Sequence, residues 1–384
     1  MKQDGAARAV LMTGARRIVI KIGSSMLTGD DPQVLEHRFR GWVAGMAHLR
    51  QQGREVIVVS SGAVAEGRKQ MARRLSGVDV SRIRMKQALA AIGQPGVIRR
   101  FTEAFAPEGI LPAQVLLTHD DLKNRRRYLN ARNTIDTLLD WGCIPIVNEN
   151  DTVQTEELRK VGDNDTLASL VAVMMGADLL ILLSDVDGLY SADPRKDSNA
   201  APIGSIDALD PLLAKFDGGP GSSSGTGGIV TKIAAARRCT RAGAATILVD
   251  ARHEKLFERI VAGEALGTLF RTQRDPVSAR KAWIAELPEG GRLTVDEGAA
   301  AALGKGKSLL PVGVKAVEGE FERGEAVAIV TGDGAVLARG LAAYSAEHLR
   351  VIAGRSTGKI QELLGFYDGD EVVHRDDMIL LEVS

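Results

Sequence analysis

Asn148-Glu149-Asn150-Asp151 and Asp163-Asn164-Asp165 crowd short carboxylates and amides together, the first group directly behind the apolar run CIPIV. Unpaired polar groups are costly to bury, so this density implies something for them to bind. A small molecule with both an ammonium and a carboxylate would serve. Asn148, Asp151, Asp163 and Asn164 are the candidates for binding it, by opposite charge and amide pairing. Asp165 has a different expected task. One carboxylate can hold two ammonium groups through charge-assisted hydrogen bonds, and Lys21 and Lys232 are its candidate partners. Two plainer readings stay open: the stretches are surface loops, and one of Asp163, Asn164 and Asp165 is the N-cap of the helix that follows.

Lys232 lies just beyond the stretch DGGPGSSSGTGG, Asp217 to Gly228. Its composition alone suggests a flexible linker. Yet it runs straight into the segment IVTKIAAARRC, and a helix entered through glycines presents free N–H groups and a partial positive charge. With Lys232 one turn in, that suits a polyphosphate. Two nucleotide motifs fail. GKGKS at Gly304 to Ser308 has Ala301 where a Walker loop needs its first glycine, and GTGGIV has Val230 in the last Rossmann glycine position. KNRRRY, Lys123 to Tyr128, reads as a solvated helix face. His119 and the other histidines show no acid, base or nucleophile partner, which Ser60 or Ser61 would need as a nucleophile, so covalent catalysis is not expected.

These residues must be positioned by a sheet. Between 17 and 250 a β-branched run, a polar loop and an amphipathic segment recur, the runs being 17–22, 54–59, 142–147, 178–183 and 245–249. Continuous apolar runs of this kind are buried on both faces, the mark of a parallel sheet covered by helices. LASLVAVMM puts Leu167, Leu170, Val171 and Met174 on one helical face. The alternation predicts an α/β sandwich. Ligands of open parallel sheets bind beyond the carboxyl ends of the strands. Lys21 and Gly23-Ser24-Ser25 follow the first run, Ser60-Ser61-Gly62-Ala63 the second, Asn148 to Asp151 the third, and Ser184-Asp185 the fourth. Turn chemistry explains each loop singly; four loops on one edge favour a site.

Composition narrows the classes. In 384 residues, Lys+Arg and Asp+Glu both number 49, which leaves no overall electrostatic footprint for nucleic acid or an anionic membrane. The two cysteines, Cys143 and Cys239, sit far apart and the six histidines lack zinc spacing, so a reducing compartment and no metal site are expected. The first residues lack an apolar core of signal-peptide length, and no apolar run reaches the ~18 residues of a membrane span. A cytoplasmic location follows as the expectation. After about residue 262 a connector, RTQRDPVSARKAW, leads into short strands punctuated by glycine. There TGDG predicts a hairpin turn with Gly334 at positive φ, within a small β-rich domain at about 285 to 370.

The motifs together resemble one family. KIGSSMLT (Lys21 to Thr28), SSGAVAEGR (Ser60 to Arg68), YLNARNT (Tyr128 to Thr134), PIVNENDTV (Pro145 to Val153), KVGDNDTLA (Lys160 to Ala168), LLSDVDGLYSADPR (Leu182 to Arg195) and GTGGIVTK (Gly225 to Lys232) are similar to those of glutamate 5-kinases, amino-acid kinases in the long form with a C-terminal PUA domain. The glycine motifs are shared by many amino-acid kinases; NEND and VGDND with this tail are specific. Ser184 is the one small departure, a position where threonine is frequent in the family, and the hydroxyl is retained.

The resemblance implies an αβα sandwich with a mainly parallel central sheet plus a small β-rich PUA domain. It divides the chain into a catalytic domain at 1–262, a linker at 263–284, the PUA domain at 285–370 and a tail at 371–384. It implies ATP-dependent phosphorylation of the γ-carboxylate of L-glutamate to γ-glutamyl phosphate, the first step of proline biosynthesis, with Mg²⁺ carried by ATP and no protein metal site. Lys21 and Lys232 would contact the transferring phosphates and Asp165 would organise them. Ser61, Asp151, Asp163 and Asn164 would surround glutamate with Asn148 assisting, and Ser184, Asp185, Thr226, Gly227, Gly228, Ile229, Val230, Thr231 and Lys232, with Lys21, would line the ATP site. It further implies a homo-oligomer (dimer or tetramer), feedback inhibition by proline, and functional coupling to glutamate-5-semialdehyde dehydrogenase, with no membrane partner. RNA binding by the PUA domain is the disfavoured reading, because residues 288–367 hold nine Lys/Arg against ten Asp/Glu.

Overall fold

The computed structural model describes residues 2–27, 31–76, 78–153, 164–192, 197, 199–216, 228–272, 281, 284–285, 287–367 and 369–381. Two compact units emerge, Met1–Leu122 with Ala131–Pro276, and Lys123–Asn130 with Val277–Ser384.

The strands of the first unit are β1 (Arg17–Lys21), β2 (Glu55–Val59), β3 (Pro112–Leu117), β4 (Ile144–Glu149), β5 (Leu179–Ser184), the short pair β6 (Leu189–Tyr190) and β7 (Pro202–Ile203), β8 (Ser205–Asp207), β9 (Ala245–Asp250) and β10 (Thr268–Arg271). Eight of them form one sheet in the order β3-β4-β2-β1-β5-β9-β10-β8. From β3 to β9 all neighbours run parallel, while β10 is antiparallel to β9. The mainly parallel α/β sheet expected from the sequence is present. Every residue of β4, β5 and β9 is buried, so both faces of the sheet are covered there. β3, β8 and β10 were not foreseen. β3 is an edge strand that opens on proline and is buried only at its two ends, and β8 is only three residues long. β10 lies within 263–284 and a further strand, β15 (Met378–Leu380), within 371–384, so strands occupy part of the segments expected as linker and tail.

The helices of this part of the chain are α1 (Lys2–Gly14), α2 (Ser24–Leu27), α3 (Pro32–Gln51), α4 (Ala63–Met71), α5 (Ile83–Phe105), α6 (His119–Lys123), α7 (Arg125–Asp140), α8 (Asn164–Met174), α9 (Gly228–Arg241) and α10 (Leu256–Val261). α3 starts where Asp31 accepts from the N–H groups of Gln33 and Val34, with Pro32 at its first position. α8 buries Leu167, Val171 and Met174, each worth about 1.5–3 kcal/mol when removed from water, and that burial anchors the polar residues at its N-terminus. Leu170, expected on the same face, is half-buried. α4 and α5 meet through glycines: a Cβ on Gly67 would stand 1.9 Å from the Leu89 carbonyl oxygen, and one on Gly93 1.9 Å from that of Ala63. Cys143 and Cys239 are buried and unpaired, and burial pushes the Cys239 thiol up to about 12. Arg126 and Arg127 are exposed, in keeping with a solvated face for KNRRRY.

The second unit carries β11 (Glu289–Val295), β12 (Val314–Gly319), β13 (Ala326–Val330), β14 (Val336–Leu341) and β15, in the order β12-β11-β13-β14-β15. Leu293, Val295, Phe321, Ile329 and Tyr344 form its core. The expected hairpin joins β13 to β14: Thr331 N–H donates to the Ala335 oxygen at 2.9 Å, and Gly334 has φ of 89°. Gly304 ends the helix Glu297–Gly304, whereas a Walker loop would open one. No helix among the described residues is long and apolar enough to cross a membrane.

Candidate active site

Parallel pairing brings the carboxyl ends of the central strands to one edge. Lys21 is in register with Val59 on β2 and Leu182 on β5, Val59 with Val147 on β4, and Ser184 with Asp250 on β9. The first residues of the loops beyond these strands therefore face a common space.

At its centre Lys21 Nζ lies 2.6 Å from Asp165 Oδ1, and Lys232 Nζ lies 3.0 Å from Asp165 Oδ2. Thr231 Oγ1 donates to the same Oδ2 at 2.9 Å. Strand β1, the first turn of α8 and the first turn of α9 thus converge on one carboxylate. Burial pushes the Asp165 carboxyl up, but the charges and hydrogen bonds of Lys21 and Lys232 outweigh it and hold the group below the usual carboxylate range. Asp165 is therefore ionised at neutral pH. The trio carries two positive charges against one negative, and an anion would balance the excess. Asp165, one of three candidate caps for α8, accordingly serves its two lysines.

A second cluster lies along the same edge. Asn164 Nδ2 donates to the Ser60 carbonyl at 2.9 Å and to Ser61 Oγ. Gly62, at φ of 100°, turns the chain between Ser61 and α4, a conformation that L side chains rarely adopt. Asn148 accepts from the Glu149 N–H at 2.8 Å and donates to Gln94 Oε1 at 3.4 Å, while Gln94 Nε2 donates to the Glu149 carbonyl at 3.3 Å. Asp151 follows in a short helical turn; burial and then the Glu149 charge push its carboxyl up to about 6. Lys21, Ser61, Arg68, Asn148, Glu149, Asp151 and Asn164 line a cleft of about 460 Å³, ample for an amino acid.

Ser184 is buried at the end of β5, its hydroxyl 3.3 Å from Asp185 Oδ1, and Asp185 is exposed. Gly228, Ile229, Val230, Thr231 and Lys232 form the first turns of α9, where free N–H groups and the helix dipole favour an anion. Asp163, Thr226 and Gly227 lie outside the described residues. Four residues that line the cleft or touch its lining escaped the sequence reading or were given no role there. Gln94 is one of several polar residues in α5 with no spacing to mark it, and Arg68 and Glu149 sit inside motifs whose other members drew the roles. His119, for which no partner was visible, is buried with Nδ1 3.5 Å from Glu149 Oε1. Ser60 Oγ donates to the Ser61 carbonyl at 3.3 Å, which gives no nucleophile–base pair. Among the described residues no three His, Cys, Asp or Glu side chains cluster as metal ligands.

Residues 16–250 match the model of the amino acid kinase family, and residues 291–364 that of the PUA domain. The chain belongs to the amino acid kinase family, and within it to the glutamate 5-kinases that carry a PUA domain. It is 48% identical over 372 residues to a glutamate 5-kinase of Stutzerimonas stutzeri, covering 96% of this chain and 99% of that one. The glutamate 5-kinase of Pseudomonas savastanoi pv. phaseolicola is 48% identical over 372 residues, 96% of this chain and all of that one (100%). That of Methylobacillus flagellatus is 46% identical over 373 residues, 97% and 99% of the two chains.

Proposed function

We propose that this chain transfers the γ-phosphoryl group of ATP to the γ-carboxylate of L-glutamate, giving γ-glutamyl phosphate, the first step of proline biosynthesis. The observation that carries the reading is the pairing of Lys21 and Lys232 with opposite oxygens of Asp165 beside an amino-acid-sized cleft. A carboxylate acceptor is already nucleophilic, so the reaction needs alignment of two anions and neutralisation of charge on the transferring group. In this reading Lys21 and Lys232 supply the charge, and Asp165 keeps them at a fixed separation. Asp151 pairs with the α-ammonium of glutamate, while Ser61, Asn148, Asp163 and Asn164 supply hydroxyl, amide and carboxylate contacts. Ser184 and Asp185 with Thr226 to Lys232 hold the nucleotide. Mg²⁺ enters this reading as part of the nucleotide substrate, held by phosphate oxygens and water, and no step is assigned to it.

The same reading makes the enzyme a cytoplasmic homo-oligomer, a dimer or tetramer, inhibited by proline at or near the glutamate cleft. Its labile acyl phosphate favours coupling to the dehydrogenase that consumes it. The second unit, with nine Lys/Arg against ten Asp/Glu over 288–367, suits a structural or regulatory role better than RNA binding.

Hydroxylamine converts acyl phosphates to stable hydroxamates. Protein incubated with ATP, Mg²⁺ and hydroxylamine should yield hydroxamate with L-glutamate and not with aspartate, acetylglutamate or carbamate, and release no ADP with a nucleoside monophosphate. Product only with another acceptor, or none with any, would overturn the reading.

A further inference from the structure

The loop after β9 holds a salt-bridged arginine whose reach extends to the end of β5. Asp250, in register with Ser184, accepts from the Arg252 N–H at 2.8 Å and from Arg252 Nε at 2.9 Å on each carboxylate oxygen. Arg252 Nη2 also bonds Asp250, and donates to the Asp185 carbonyl at 3.2 Å. A second link runs beside it: Asp187 Oδ1 accepts from the Asp250 N–H at 3.3 Å and pairs with His253 Nε2 at 3.0 Å. From below, buried Trp42 donates to the Ala251 carbonyl at 2.9 Å. The loop ends at Lys255, the one non-glycine among the described residues with positive φ, at 47°.

The Arg252 side chain is 60% exposed, against 11% for Asp250. Pairing offsets the burial of the Asp250 carboxylate, but that need leaves unexplained the further bond from Arg252 to the Asp185 carbonyl. What the arginine does hold is the Ser184-Asp185 turn, on the edge where the strand ends open.

We propose that Arg252 is a positioning residue for the nucleotide: fixed by Asp250, it sets the Ser184-Asp185 turn in the conformation that receives the nucleoside part of ATP. This rests on ATP being the donor and on that turn lining its site. It adds the β9–α10 loop to the nucleotide subsite.

Full-length protein, Arg252→Ala and Asp250→Asn should be compared for ADP affinity by calorimetry without glutamate, and for steady-state constants. In both variants the ADP dissociation constant and the ATP KM are expected to rise about tenfold, more than kcat falls, with the glutamate KM within about twofold. Asp250→Asn leaves the arginine in place and weakens its anchor, by removing the charge and the Oδ2 acceptor, so it separates positioning from simple loss of the arginine. Unchanged ADP affinity in both variants would overturn the inference while leaving glutamate phosphorylation intact. So would a parallel rise in both KM values with a lowered melting temperature, which marks general loosening. A wild-type protein that binds no ADP would overturn the parent reading and this inference together.

Discussion

The Lys21 ammonium and the Asp165 carboxylate stand 2.6 Å apart, one from the end of β1 and the other from the start of α8, with side chains only 8% and 2% exposed. Removing three charged groups from water is expensive, and leaving one unpaired in such a place costs about 3–5 kcal/mol. Lys232 shares the carboxylate at 3.0 Å, so two cations far apart in sequence are held at one separation by a single acid. A buried array that retains excess positive charge is suited to meeting a phosphate.

Asp151 should make glutamate binding depend on pH. Its carboxyl is pushed up to about 6, so it is mostly ionised at pH 7 and mostly protonated at pH 5. With charge lost as pH falls through that value, the glutamate KM is expected to rise about tenfold from pH 7 to pH 5. Asp151→Asn should raise the KM at pH 7 and flatten this dependence. The sign for stability is opposite to that of a paired carboxylate. The raised value means that ionisation in the fold carries a penalty, fully developed above about 6 and absent below the ordinary value of 3.8. Asp151→Asn should therefore raise the melting temperature at pH 7.5 and leave it unchanged at pH 3.5.

Asn164→Ala removes the donor shared by the Ser60 carbonyl and Ser61 Oγ. The glutamate KM should rise about tenfold, the equivalent of one lost hydrogen bond of about 1.4 kcal/mol, with the ATP KM within about threefold. Steady-state kinetics with each substrate varied decides this; equal increases would move Asn164 out of the glutamate cluster.

Gly67 and Gly93 should each resist alanine. Either Cβ would meet a carbonyl oxygen of the facing helix at 1.9 Å, so the helices must part. Each variant is expected to lose about 1–3 kcal/mol in urea unfolding. Gly93→Ala presses on Ala63, next to the Ser61-Gly62 turn, and should also raise the glutamate KM.

Much of this arrangement is legible in the chain. β1, β2, β4, β5 and β9 announce themselves because strands buried on both faces must be continuously apolar, and the polar residues just past them fall on one edge by geometry. Lys21 can be singled out because it sits at such an end, and Asp165 because it lies in a dense polar stretch at the start of an amphipathic segment. β3 and β10 are less visible, since an edge strand and an antiparallel strand of four residues need no such run. Gln94, His119 and Arg252 carry no spacing signal at all: each acts through a partner brought near only by the fold, Asn148, Glu149 and Asp185 respectively.

Asp165→Asn tests the central relationship most directly. The amide keeps the shape and removes the charge that holds the two lysines. Phosphoryl transfer should be measured in a single turnover from enzyme already loaded with ATP, Mg²⁺ and glutamate, beside calorimetric affinities for glutamate and nucleotide. A rate lowered about 10²–10³-fold, with both affinities within about threefold, is the expected result. An unchanged transfer rate, or affinities that fall as far as the rate, would contradict the role of Asp165 as the organiser of Lys21 and Lys232.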